Sequence, residues 1–140
     1  MPAAVVAWQQ KYDLEITQRA SDLKAAKQKL ELAAVHVARS KELLQRNEID
    51  LALNSAENAL VVSCDAVLRK DGWAVRSHVA RFAYPQLPAV LRQNAGLLNR
   101  IRTTRNAAQY EAPGVVSREL ASQAIALADQ ALSEVRKVIG

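Results

Sequence analysis

Only six of the 140 residues are aromatic, four are glycine, four are proline and one is cysteine. A lone cysteine, Cys64, permits neither a disulfide framework nor a thiolate metal site within one chain. Its setting among Val61, Val62 and Val67 fits a small buried hydrophobe. The scarcity of aromatic residues, set against 26 alanines and 17 leucines, disfavours a sheet and favours helices that approach one another closely. An all-α fold is expected, in one domain, since 140 residues suffice for one packed core but not for two. Long apolar runs are missing at the N-terminus as well. The stretch from Ala3 to Trp8 is closed by Gln9-Gln10-Lys11 and has no basic region before it, so it reads as neither signal peptide nor membrane span. The expectation is a cytoplasmic protein with no membrane partner. No glycine-rich phosphate loop or nucleophile motif appears, so no cofactor is expected.

What is present is helical periodicity. Residues 1–20, with Trp8 and Tyr12 among glutamines and mixed charge, read as an N-terminal arm or extra helix, and 21–140 as a helical bundle domain. From Ser21, taken as an N-cap, the near-heptad series Leu23, Ala26, Leu30, Ala33, Val37 and Leu44 marks a helix to about Arg46. A second carries Leu53, Ala56, Leu60, Cys64 and Val67 on one face and stops at Asp71-Gly72, with Gly72 as its C-terminal cap. Trp73 anchors the connection that follows. A short helix through His78, Val79 and Phe82 precedes a longer one starting around Pro88. The last runs from Ser117 to Val138, with Leu120, Ala124, Leu127, Ala131, Val135 and Val138 facing inward. The sum is a bundle of four long helices with a short helical insert and an N-terminal helical extension.

Charge is unevenly placed. The chain carries a net +5, yet Arg69 to Tyr110 holds eight basic residues against the single acid Asp71. Such a local excess points to a polyanionic partner more than uniform basicity would. Its densest part is Arg100 to Tyr110, RIRTTRNAAQY, just before the breaker Glu111-Ala112-Pro113-Gly114. On a helix, Asn94, Leu98, Ile101, Arg105 and Ala108 share one face, so Arg105 extends an inward stripe. Arg92, Asn99, Arg102, Asn106 and Gln109 form a second, polar ridge able to touch phosphates. Arg92, Arg100, Arg102 and Arg105 are therefore the candidate nucleic-acid or nucleotide contacts, because a guanidinium stays charged and offers five donors in a rigid fork. The competing expectation is a solvated face plus one arginine paired in the core.

The order of AENALVVSCDAVLRKDGW, an RSH segment, RNAAQY and a last helix ending ADQALSEVRKVI resembles the HEPN superfamily of small helical nucleotide- and RNA-binding proteins. The resemblance spans about Ser21 to Ile139. It implies a homodimer whose arginine motifs meet in a cleft, an RNA or nucleotide partner, in many members metal-independent RNA cleavage, and a nucleotidyltransferase-type protein or a toxin–antitoxin setting as context. The family motif has an arginine, a polar residue, and a histidine four to six positions after the arginine. Arg105 and Asn106 match the first two positions, but Tyr110 to Ala112 contains no histidine. Arg105, Asn106 and Tyr110 are the candidate catalytic residues on that resemblance. A phenol with a pKa near 10 is a poor base at neutral pH, and acid–base help is typically worth about a hundredfold to ten-thousandfold, so cleavage should be feeble or absent.

Two further constellations involve histidines and carboxylates. His78 and His36 are the only histidines; His78 reaches Arg105 only if folding brings it there, and an ordinary surface or interface histidine is the plainer expectation. Glu57 and Asp65 share a helical direction but lie about 12 Å apart along the axis, too far for one metal. A solvated or ion-paired role is expected for both, and no metal site. The rival to nucleic-acid binding is a non-enzymatic interaction module whose arginines pair with the carboxylates of a partner protein.

Overall fold

A computed structural model describes residues 1–140 and shows a predominantly helical molecule. Its long elements are α2 (Leu23–Gln45), α3 (Ile49–Asp71), α6 (Ala95–Tyr110) and α7 (Arg118–Ile139); shorter ones are α1 (Ala3–Lys11), α4 (His78–Phe82) and α5 (Ala89–Arg92). Helix α2 turns back on α3 through Arg46–Glu48, where Asn47 takes a positive φ of 60°. Helix α7 packs on both, and α6 lies against α3 and α7. Alanine makes this close approach possible: Ala26, Ala33, Ala56, Ala59, Ala124, Ala128 and Ala131 are all fully buried between helices. Helix α3 is the central element, buried over most of its circumference. It is also the one helix whose length and composition would suit a membrane span, and 67% of that window is buried within the fold.

The helix ends follow local chemistry. Asp22, not Ser21, caps α2, accepting a hydrogen bond from the Ala25 amide at 2.9 Å, while the Ser21 hydroxyl donates to the Lys70 carbonyl. Ser117 caps α7 through the Leu120 amide at 3.0 Å. Gly72 ends α3 with φ +92°, as its position after Asp71 implies. At the other end of α7 the inward residue is Ile139 rather than Val138, which is exposed.

Two expectations are corrected. A sheet does form: β1 (Ile16–Gln18) pairs antiparallel with β2 (Trp73–Val75), placing Ile16 opposite Val75 and Gln18 opposite Trp73. Four of these six residues are β-branched or aromatic, a local preference that the composition of the whole chain conceals. The helix expected from Pro88 is also interrupted at Gln93–Asn94. The Asn94 side-chain amide donates to the Val90 carbonyl at 2.7 Å, and the Asn94 backbone amide falls back to Leu91. A side chain has taken the acceptor that a continuing helix needs. Arg92 thereby leaves the polar ridge of α6 and donates from Nε to the Leu87 carbonyl at 2.9 Å.

The N-terminal segment joins the same core. Trp8 is buried, with its ring edge-on to Trp73 at 5.2 Å and to Tyr84 at 4.8 Å, and its indole Nε1 donates to the Ala80 carbonyl at 2.8 Å. Tyr84 in turn donates to Asp71 at 2.6 Å. This aromatic knot ties α1, β2, α4 and the end of α3 together, and it fixes where α4 sits beside α6.

Candidate functional site

Three elements meet at the site. Helix α3 carries Asn54, Glu57 and Asp65, whose offsets of three and eight residues place them along one flank. Helix α4 contributes His78 and Arg81, and α6 contributes Arg102 and Arg105, one turn apart. The inward stripe of α6 is as its spacing predicts: Leu98 and Ile101 are buried, and Arg105 reaches back to α3.

Arg105 is held through Nε, which donates to Asn54 Oδ1 at 2.9 Å and lies 3.3 Å from Glu57 Oε1. Its terminal amino groups make no hydrogen bond within the chain, and the side chain borders a pocket of about 280 Å³ with Asp50, Leu51, Asn54, Ala108 and Gln109. Glu57 is only 3% exposed. Burial raises its pKa, opposed by the charges of Arg105 and Arg102.

Arg81 forms a second, fully engaged centre. Its Nε donates to Asp65 Oδ1 at 2.8 Å, Nη1 to His78 Nδ1 at 2.7 Å and Nη2 to the Val75 carbonyl at 3.0 Å. An arginine has no acceptor, so His78 Nδ1 must supply a lone pair and the neutral ring carries its proton on Nε2. Burial lowers the His78 pKa first, followed by the charges of Arg81, Arg105 and Arg102, with Asp65 opposing. Beyond His78, between α4 and α6, lies a cleft of about 220 Å³ with Phe82, Ala83 and Leu98 among its apolar walls and Asn99 and Arg102 at its polar side. Arg102 Nη2 donates to Asn99 Oδ1 at 3.3 Å.

The structure therefore divides the residues singled out by sequence. Arg102 and Arg105 lie together beside His78 and Glu57. Arg100 borders a separate hollow with Leu97, Gln123, Leu127 and Gln130 on the α7 side. Arg92 is on α5. Asn106 is exposed, and Tyr110, about 140° around the helix from Arg105, is 74% exposed. The wider basic cluster disperses as well: Arg69 pairs with Asp22 at 3.5 Å, and Arg76 donates to the Leu14 carbonyl at 2.8 Å. Twelve residues of α3 separate Arg69 from Glu57, about 18 Å along the axis.

Glu57 and Asp65 are ion-paired, each with a different arginine, and no group of three or more metal-ligating side chains forms. Asn54 and Arg81 escape a reading from sequence. The spacing of Asn54, Glu57 and Asp65 signals a polar flank on α3, but only the packing of α4 and α6 tells which arginine each one takes. No family model, curated protein or solved structure matches the chain.

Proposed function

We propose that this protein is a HEPN-type helical domain that binds RNA or a nucleotide at the Arg102–Arg105 cleft, with weak or absent cleavage. On this reading α2, α3, α6 and α7 are the four long helices of the bundle, and α4 and α5 the insert. The observation that carries it is the pairing of two arginines one turn apart, each bordering its own open pocket, with Arg105 anchored by Nε and its terminal amino groups left without a partner in the chain. An anchored guanidinium loses less side-chain entropy on meeting a phosphate than a free one does.

Catalysis fits poorly. A tyrosine in solvent stands where the family motif has histidine, and His78 has its Nδ1 lone pair committed to Arg81. Tyr110→His is expected to be neutral or activating in a chelator-containing cleavage assay on labelled RNA. Exposed Leu51 beside Arg105 and Val79 beside Arg102 supply apolar surface at the arginines, which supports a homodimer. Light scattering should then give twice the 15.3 kDa chain mass.

The deciding experiment is a salt titration of binding to an unstructured RNA. Arg102→Ala should weaken binding and lower the slope of log K against log salt by about 0.7, the share of one phosphate contact on a single strand. Arg118→Ala is the control, because Arg118 is occupied with Asn47 and Leu44 and borders neither arginine pocket. Equal losses in the two variants would mean that general charge drives the binding. The second reading, a protein-interaction module, is favoured by the fact that Arg105 already takes a carboxylate, Glu57; tight binding to an acidic protein without RNA affinity would establish it.

A further inference from the structure

The cleft between α4 and α6 has a chemical bias that the arginine pair alone does not explain. His78 offers only a donor, since Arg81 occupies its Nδ1 and leaves Nε2–H as the remaining polar group. Asn99 is oriented by the same logic. Its Oδ1 accepts from Arg102 Nη2, so the amide nitrogen with its two hydrogens is left facing other partners. Arg102 itself has no acceptor. Three polar side chains around one cleft thus present hydrogen-bond donors, above walls that include Phe82, Ala83 and Leu98. A planar heterocycle suits such a slot, and 220 Å³ accommodates a base with part of its sugar.

We infer that this cleft reads the base of a bound nucleotide and selects guanine and uracil, which carry an oxygen acceptor where adenine and cytosine carry an amine, with His78 and Asn99 as the specificity-determining donors. This rests on the proposed nucleotide-binding reading of Arg102 and Arg105 and assigns its substrate class. Guanine presents O6 and N7, and uracil its O4, as acceptors. Adenine and cytosine present an exocyclic amine at the corresponding place, where it would meet the His78 Nε2–H or the Asn99 amide N–H donor to donor. His78 stays neutral at physiological pH because burial and three nearby arginines oppose its protonation. At His78 the donor is therefore fixed rather than adaptable. The phosphate would fall to Arg105, one turn along α6.

The test is calorimetric titration of the full chain with GMP, UMP, AMP, CMP and ribose 5-phosphate at one salt concentration, alongside an unstructured RNA. GMP and UMP should bind about tenfold tighter than AMP and CMP, with ribose 5-phosphate grouping with the weaker pair. Asn99→Asp keeps an acceptor for Arg102 but replaces the outward donor with an acceptor; Asn99 is exposed, so the fold tolerates the change. Its added charge should weaken all four nucleotides, and the keto preference should disappear. His78→Gln, which can accept from Arg81 and still donate, should retain the preference. Four equal affinities, a preference for AMP or CMP, or ribose 5-phosphate binding as tightly as GMP would overturn the base-reading cleft while RNA binding stands. Failure of RNA and every nucleotide to bind would overturn the underlying reading too.

Discussion

Burying Glu57 behind Arg105 sets two effects against each other: desolvation of the carboxylate and its attraction to the guanidinium. The pair is strong enough to orient Arg105 and weak enough that the carboxyl pKa is still raised. A raised carboxyl means that the folded chain holds its proton more tightly than the unfolded one. Its contribution is fully present below the ordinary value of 4.5 and is lost as pH rises through the folded value. Glu57→Gln removes that loss and leaves Arg105 partly solvated, so it should cost about 1 kcal/mol rather than the several expected for a fully buried orphan charge. It should also tighten RNA binding about threefold at low salt, because a carboxylate no longer opposes the phosphate. A weaker RNA complex in this variant would show that Glu57 assists the ligand instead of restraining Arg105. His78 has the opposite sign. Its lowered pKa means that the unfolded chain takes up a proton first, so stability is lost as pH falls below about 6.5. Urea unfolding between pH 7 and 5.5 should show a steeper loss for wild type than for His78→Gln, and parallel curves would remove His78 as a source of the pH dependence.

At the scale of elements, Gly72 is where the helical and extended parts of the chain meet. Its φ of +92° suits glycine, and a Cβ there would lie 2.6 Å from the Arg19 carbonyl oxygen, a backbone atom that cannot swing aside. Arg19 N also donates to the Gly72 carbonyl at 2.8 Å, so the clash would push apart the segment that extends the β1–β2 pairing. Gly72→Ala should cost about 2 kcal/mol or more by chemical denaturation; a loss under half of that would mean that the junction relaxes freely. This glycine was legible in the sequence, as were the spans of α2, α3, α4 and α7 and the inward turn of Arg105, because each follows from capping or from period. The sheet was not, since three-residue strands leave too short a pattern and their partners are more than fifty residues away. The break before α6 turns on one asparagine competing for one carbonyl. The partners of Arg81 and Arg105 depend on the angle at which α4 and α6 cross α3, which no spacing within a single helix encodes.

At the scale of the molecule, one cluster of 34 buried apolar residues runs from Val5 to Ile139 and includes both tryptophans. Trp8 and Trp73 touch each other, so their fluorescence reports on the junction of the N-terminal segment with the rest, whereas the circular dichroism of the long helices reports on α2, α3 and α7. A shared core predicts coincident thermal transitions by the two signals. Trp8→Ala removes a large buried side chain and its hydrogen bond to Ala80, and should lower both transitions together, by about 3 to 5 kcal/mol in free energy. Fluorescence melting well before the helical signal would make residues 1–20 a detachable unit.

The pairing of β1 with β2 has a consequence for the order in which the chain assembles. Between the two strands lies little but the α2–α3 hairpin, with its ends brought side by side where Asp22 N meets the Arg69 carbonyl at 3.0 Å. Once that hairpin exists, closing the strands no longer requires fifty residues to find each other; the loop entropy has already been lost in the helical turn. The sheet should therefore zip late and quickly, and open often without unfolding anything else. Native-state hydrogen exchange should find the Arg19 and Arg76 amides, which donate to the Gly72 and Glu15 carbonyls, exchanging through small local openings, while those in the middle of α3 wait for the whole molecule.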